Sequence, residues 1–197
     1  MRPEPIEWKS AAWWRNLDVL DRIHFMKIPK RIAEQAGARN TQMTANVESW
    51  VSEWEQGSNL FIQGPSGSGK STQAAMALIT LIKHNRASGR WIDPDRYIDA
   101  IKDSFDNDGL LPQEYGSPYT VKNIKAVFDV LVIDGLGEER LTEFAAHEIA
   151  SLIRTRFDNM RSTIITSRLS MEDIKNRYGD RLSTPLAEFE LEVMRGR

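Results

Sequence analysis

The sequence predicts an α/β fold, a parallel sheet flanked by helices, and three observations carry that expectation. Short apolar runs alternate with helix-periodic segments. One run, residues 127–133, is nearly unbroken and ends in Asp134. Another, Asn59-Leu60-Phe61-Ile62, meets a glycine-rich turn that opens into an apolar helical stretch. A strand covered on both faces reads as continuous apolar sequence, and strands separated by helices pair in parallel.

Taken in order, residues 6–26 place Trp13, Leu17 and Leu20 at helical spacing among Arg15, Asp18, Asp21 and Arg22, which predicts an amphipathic helix broken at Ile28-Pro29. Residues 33–45 are small and polar and predict a loop. Val47, Trp50, Val51 and Trp54 then mark one face of a helix that ends at Gly57. After the strand at 59–62 and its turn, Ala74, Ala75, Leu78, Ile79, Leu81 and Ile82 define a strongly apolar helix. A second strand is expected at 90–93, a helix over 94–105, and a loop over 106–118, where two glycines and two prolines fall. Beyond the strand at 127–133, residues 141–157 read as a helix with Phe144, Ile149, Leu152, Ile153 and Phe157 inward, and 163–166 as a further buried strand. With no internal repeat, the chain divides into an N-terminal arm (1–27) and one domain (28–197).

Composition narrows the function classes. Among 197 residues there is no cysteine, which excludes disulfides, thiolate catalysis and cysteine-based zinc sites. No apolar run approaches the roughly 18 residues that span a bilayer, and the charged, proline-bearing start does not read as a secretion signal. A cytoplasmic protein is the resulting expectation. The net charge of −2 supplies no bulk field toward nucleic acid, and Lys122, Lys125, Arg154, Arg156 and Arg161 are scattered.

The turn itself, Gly64-Pro65-Ser66-Gly67-Ser68-Gly69-Lys70-Ser71, fits G-x-x-x-x-G-K-[ST] and is followed by Thr72. Glycines let the backbone approach a polyphosphate so that successive N–H groups point inward. Lys70 adds a mobile charge for the β and γ oxygens, and the Ser71 hydroxyl is a Mg²⁺ ligand. A helix opening at the anion contributes its orphan N–H groups and dipole. The pattern predicts binding of a nucleoside triphosphate, ATP with Mg²⁺, across residues 64–72. Asp134, at the end of its apolar strand, is the second candidate for the Mg²⁺ shell. Hydrolytic P-loop proteins follow that Asp with an acid that polarises water, but Gly135 stands here, with Glu138 and Glu139 nearby as candidate substitutes. Slow turnover is expected unless one of them takes the role.

The ordered set of motifs resembles the AAA+ helicase loaders of the bacterial DnaC type and their transposition relatives of the IstB type. Ile28-Pro29-Lys30-Arg31 is similar to that family's "GIPxR" box. Leu131-Val-Ile-Asp134-Gly-Leu-Gly-Glu-Glu139 is similar to "LIIDDLGxE", and Ser162-Thr-Ile-Ile-Thr-Ser-Arg-Leu-Ser170 to "TIITSNLS". Tyr178-Gly-Asp-Arg181-Leu182 resembles "GERI". The resemblance implies a AAA+ ATPase domain without a helical lid. It also implies Ser167 and Arg168 at the polar sensor, where Asn is usual, and Arg181 as a candidate trans-acting arginine, although Thr184-Pro185 occupies the finger-like position. Arg195, in Val193-Met-Arg195-Gly-Arg197, becomes a candidate cis sensor. Partners follow from the same resemblance: a replicative DNA helicase, single-stranded DNA and further copies of the chain when ATP is bound. Three readings stay open, namely a helicase-loading ATPase, a transposition helper ATPase and a nucleotide-dependent adaptor with little hydrolysis. The arm, with Trp8, Trp13, Trp14 and Leu17, would either dock the helicase or pack on its own domain.

Overall fold

A computed structural model describes residues 24–84, 87–106 and 121–196 of the chain. Its centre is a five-stranded sheet of β1 (Asn59–Gln63), β2 (Gly89–Ile92), β3 (Val130–Ile133), β4 (Ser162–Ser167) and β5 (Phe189–Val193). The spatial order is β2-β3-β4-β1-β5, and all pairs are parallel, with Trp91 opposite Val132, Leu131 opposite Thr163, Leu60 opposite Ile164 and Asn59 opposite Phe189. This is the P-loop, AAA+-like arrangement, and it has no lid domain among the described residues.

Alternate strand residues feed two cores. On one face Leu60, Ile62, Trp91, Val130, Val132 and Ile164 meet the helix that follows the glycine turn, α3 (Lys70–Lys83), with α1 (Lys30–Ala36) and α2 (Ala45–Glu53) beside it. On the other, Phe61, Ile92, Leu131, Ile133 and Ile165 meet α4 (Pro94–Ser104), α5 (Val121–Ala126), α6 (Glu143–Asp158) and α7 (Met171–Tyr178). A turn of 3₁₀ helix (Asp180–Leu182) and α8 (Ser183–Ala187) lead into β5. Helix starts carry their own signals. Thr44, Asp93 and Thr142 accept hydrogen bonds from the N3 amides of α2, α4 and α6, and Ser170 and Asp173 form a capping box on α7. Gly89 marks how closely α3 lies on β2, since a Cβ there would stand 2.5 Å from Leu78 Cδ1.

The edge of the sheet at β2 is covered by residues 24–27. Phe25 packs on one core and Met26 is buried in the other, while Arg90 Nη1 donates to the Phe25 carbonyl at 2.8 Å. A covered edge cannot template pairing with another chain.

Several expectations shift by a few residues, and some elements were not foreseen. Residues 33–36, expected in a loop, complete α1, because Ile32 and Ala36 find the α3 core; the loop proper is 37–44. The strand expected at 127–133 is β3 at Val130–Ile133 only, with Phe128 buried before it. The helix α7 and the strand β5 carried no expectation. The amphipathic helix expected over 6–26 lies, apart from its helical end at 24–26, outside the described residues, as does most of the expected loop at 106–118. Among the described residues no helix is long and apolar enough to cross a membrane.

At the end of the sheet where β3 and β4 begin, Arg156 of α6 is wholly buried. Its Nη2 donates to the carbonyls of Ser162 (2.7 Å) and Phe128 (3.0 Å), and its Nε to Thr163 Oγ1 (3.2 Å). Burial pulls the guanidinium down to about 9, with the Arg161 charge acting in the same sense and Asp129 against it. Asp129 joins this group to β2 by accepting from Ser88 N and Oγ, both at 2.8 Å. Arg156→Ala leaves those buried carbonyls without a donor, and we expect it to lower the unfolding free energy by about 3 kcal/mol. Urea unfolding followed by circular dichroism measures this; a loss below about 1 kcal/mol would contradict the structural role.

Candidate nucleotide-binding site

The site forms where β1 and β3 end on either side of β4. Gly64 leaves β1 with its amide on the Ser167 carbonyl at 3.1 Å, and the loop turns through Gly67 (φ 75°) and Gly69 (φ 98°) into α3. Gly64 is required for a second reason: a Cβ there would stand 2.7 Å from the Met194 carbonyl oxygen just past β5. Pro65, Ser66 and Gly67 are exposed at the rim, while Ser68 is buried, its Oγ unpartnered among the described residues. Lys70 is buried at the start of α3, and its Nζ donates to the Pro65 carbonyl at 2.8 Å. Burial lowers the Lys70 ammonium below its ordinary value; the Glu138 and Asp134 carboxylates oppose that shift, and Arg168 adds to it. A cation pressed by burial gains from an incoming polyanion. A cavity of about 390 Å³ opens in front, lined by Ser66, Gly67, Lys70, Ser71, Asp134 and Glu138 among others. That volume suits a polyphosphate.

Asp134 sits at the junction of three elements. Its Oδ1 accepts hydrogen bonds from Ser71 Oγ of α3 and Thr166 Oγ1 of β4, each at 2.6 Å, and Thr166 Oγ1 accepts from Gly135 N at 2.9 Å. Burial raises the Asp134 carboxyl above its usual range. The Ser71 and Thr166 hydroxyls hold it down, and the Asp93 and Glu138 charges push it up again. Mg²⁺ keeps several of its waters and needs only one or two protein oxygens beside phosphate. Asp134 and Ser71, 2.6 Å apart, fit such an ion. When bound, Mg²⁺ would neutralise β- and γ-phosphate charge. Thr166, which motif reading passed over, positions the carboxylate.

The two acids after Asp134 are placed very differently. Gly135 (φ 81°) turns the chain so that a Cβ built on it would lie 3.6 Å from Glu138 Cδ. Glu138 therefore occupies space beside the missing side chain, on the cavity wall, and pairs with Arg168 Nε at 2.8 Å, both half-exposed. Glu139 is buried. Its carboxylate accepts from Gly137 N (2.9 Å), Arg177 and the Tyr178 hydroxyl, and its carbonyl accepts from Arg177 Nη2 at 2.7 Å. Burial and the Glu139 carboxylate raise the Tyr178 phenol. This network ties the loop after β3 to the end of α7.

The remaining sequence-derived candidates surround the cavity rather than line it. Ser167 is buried in β4, its hydroxyl donating to the Leu136 carbonyl (2.6 Å) and accepting from Leu169 N (3.0 Å), so its contacts shape the turn after β4. Arg181 is exposed on the 3₁₀ turn, with Nη1 3.2 Å from His147 Nδ1. Thr72 Oγ1 faces Gln35 of α1 at 3.4 Å. Arg195 is exposed one residue beyond Met194, whose amide donates to the Gln63 carbonyl at 2.7 Å, and a Cβ at Gly196 would touch Pro65 Cγ at 3.4 Å. The C-terminal segment thus runs along the glycine loop.

With this geometry in view, the profile of the IstB-like ATP binding protein family matches residues 24–187. The chain belongs to the IstB-like ATP binding protein family. No curated protein sequence matches it. Among solved structures, the fold is similar to that of the DnaC helicase loader, with 24% identity, a TM-score of 0.70, and 84% of this chain and 99% of that one covered. It is also similar to DnaI, with 18% identity, a TM-score of 0.66, and 86% and 95% of the two chains covered. The replication initiator DnaA bound to AMPPCP and single-stranded DNA shares 14% identity, with a TM-score of 0.65, over 87% of this chain and 52% of that one. These likenesses establish the shared fold of this IstB-like chain.

A proton and a bound cation would compete for the Asp134 oxygens, so cation affinity would fall as pH drops through the raised carboxyl pKa. Thr166→Val removes a hydroxyl donor, raises that pKa further and moves the acid limb of Mg²⁺-dependent nucleotide binding to higher pH. We expect about tenfold weaker Mg²⁺ affinity at neutral pH, with Thr166→Ser near wild type. Titrations of a fluorescent ATP analogue against Mg²⁺ at several pH values measure both, and an unmoved limb would remove Thr166 from the site.

Proposed function

We propose that this IstB-like chain binds ATP with Mg²⁺ and acts as a helicase loader, with ATP as the assembly switch that delivers a replicative DNA helicase to single-stranded DNA. The observation that carries this reading is the end-to-end likeness to the DnaC helicase loader, which this chain covers over 99% of its length. Residues 1–27 would form the partner-docking arm ahead of the ATPase domain, and several copies would associate when ATP is bound. A nucleotide that favours one assembly state shifts that equilibrium by its differential affinity alone, so fast turnover is not required. Capture of the helicase from a host replisome by the full chain should require ATP and be lost in Lys70→Ala. Capture in neither condition sinks the loader reading. Membership of the IstB-like ATP binding protein family, taken with the resemblance to transposition relatives of the IstB type, supports a second reading as a transposition helper, which ATP-dependent capture of a transposase instead of a helicase would establish.

Hydrolysis under either reading needs a base. Both acids line the cavity; Glu138 stands beside Gly135 and pairs with Arg168, whereas both Glu139 oxygens are hydrogen-bonded within the fold. Glu138→Gln should lower the ATP turnover number about a hundredfold while leaving nucleotide affinity within a few-fold. A phosphate-release assay reports this, and an unchanged rate would show that Glu138 is not the base.

A further inference from the structure

Among the described residues, the cavity in front of the glycine loop is lined by five carboxylates, Asp93, Asp95, Asp134, Glu138 and Glu139, and one cation, Lys70. Such a wall repels a polyanion unless cations offset it. Mg²⁺ would offset Asp134. Two of the other acids have ion-pair partners just outside the lining, and the two pairs differ. Glu139 is held by Arg177 inside the fold, with the carboxylate wholly buried. Glu138 is held by Arg168, Nε to Oε1 at 2.8 Å, with both side chains half-exposed.

The backbone at Arg168 is pinned between the two loops of the site. Ser167, just before it, accepts the Gly64 amide of the glycine loop on its carbonyl at 3.1 Å. The Ser167 hydroxyl donates to the Leu136 carbonyl of the acid loop at 2.6 Å and accepts from Leu169 N at 3.0 Å. The Arg168 side chain, by contrast, has solvent to turn in. Besides burial, the Lys70 ammonium feels both members of the pair, Glu138 raising it and Arg168 lowering it. Both cations rest on protein oxygens, Lys70 on the Pro65 carbonyl and Arg168 on the Glu138 carboxylate.

We propose that Arg168 exchanges partners, leaving the Glu138 carboxylate for the terminal phosphate of a bound nucleoside triphosphate, so that the pair discriminates triphosphate from diphosphate and releases Glu138 only for the triphosphate. Magnitudes set the direction. A half-exposed ion pair shifts an equilibrium by roughly fivefold at most. A guanidinium on phosphate, charge-assisted and able to bond through two N–H groups, contributes about tenfold or more. A diphosphate lacks the group that draws Arg168 away, so the pair stays closed. A carboxylate relieved of its guanidinium is a stronger base, and Glu138 is so relieved in the state that has a phosphate to hydrolyse. The inference rests on the reading of the site as one for ATP with Glu138 as its base. It is tested by affinity, so its failure is distinguishable from an unchanged turnover rate in Glu138→Gln.

The experiment is calorimetric titration of the full chain with ADP and with a non-hydrolysable ATP analogue, each with Mg²⁺. The wild type, Glu138→Gln, Arg168→Ala and the double variant are compared. Arg168→Ala should weaken the analogue about tenfold and ADP by less than about twofold, and the retained ADP binding reports an intact fold. Glu138→Gln should tighten the analogue about threefold more in the chain that keeps Arg168 than in Arg168→Ala, because only there is a pair to break. Simple repulsion by Glu138 would give the same tightening in both backgrounds, and that additive result would overturn the exchange. Equal weakening of ADP and analogue by Arg168→Ala would overturn it too. Absence of nucleotide binding by the wild type would overturn the ATP reading and this inference together.

Discussion

A single oxygen, Asp134 Oδ1, gathers the three elements on which the site depends. It accepts one hydroxyl from the helix after the glycine loop and one from β4, while its own strand, β3, carries it. The strand order β2-β3-β4-β1-β5 makes this geometry available, because β4 lies between the strand that delivers the loop and the strand that delivers the acid. Parallel strands bring their C-terminal ends to one rim, and ligands of open α/β sheets collect there. The buried core on both faces fixes the positions of the ends, and the hydroxyl pair fixes the carboxylate between them. Burial works against the charge of Asp134 and of Lys70, so the site's own electrostatics favour a polyanion with its cation.

The loop after β3 divides its acids by backbone conformation. Gly135 and Gly137 take φ of 81° and 93°, and the turn leaves Glu138 half-exposed at the cavity while Glu139, also on the cavity wall, is buried and hydrogen-bonded within the fold. A Cβ at Gly137 would stand 2.6 Å from Leu169 Cδ1, so this turn is packed against the segment after β4 as well. Glu139, Arg177 and Tyr178 then join it to the end of α7, two residues before Asp180 and the exposed Arg181. The acid loop and the segment that bears the exposed Arg181 are thus joined by one hydrogen-bonded group.

Much of this was legible in the sequence, because its signals were local. The glycine loop announces itself by residue type and spacing, and β3 by an apolar run ending in Asp134. The helices at 45–53 and 143–158 announce themselves by periodicity, and the structure adds Thr44 and Thr142 as their caps. What escaped depends on neighbours distant in sequence. Residues 33–36 look like polar loop until Ile32 and Ala36 meet α3. β5 alternates Phe-Glu-Leu-Glu-Val, a half-covered pattern weaker than the continuous runs of the inner strands, and its pairing with β1 spans more than half the chain. Thr166 sits within a motif whose polar residues all read alike, and only the fold distinguishes the hydroxyl that meets Asp134 from that of Ser167, which meets a backbone carbonyl. The difference between Glu138 and Glu139 was equally invisible, since it turns on the dihedral angles of the two flanking glycines.

The approach of Met194 to Gly64 has a mechanical consequence. The carbonyl after β5 lies where a side chain on the first loop glycine would be, and the next amide bond along β5 is to Gln63, the residue just before it. Strand and loop are in close contact there, with Met194 Cβ and Ser68 Oγ crowding the same space at 2.8 and 2.9 Å. A side chain at position 64 would therefore have to displace either the loop or the segment after β5.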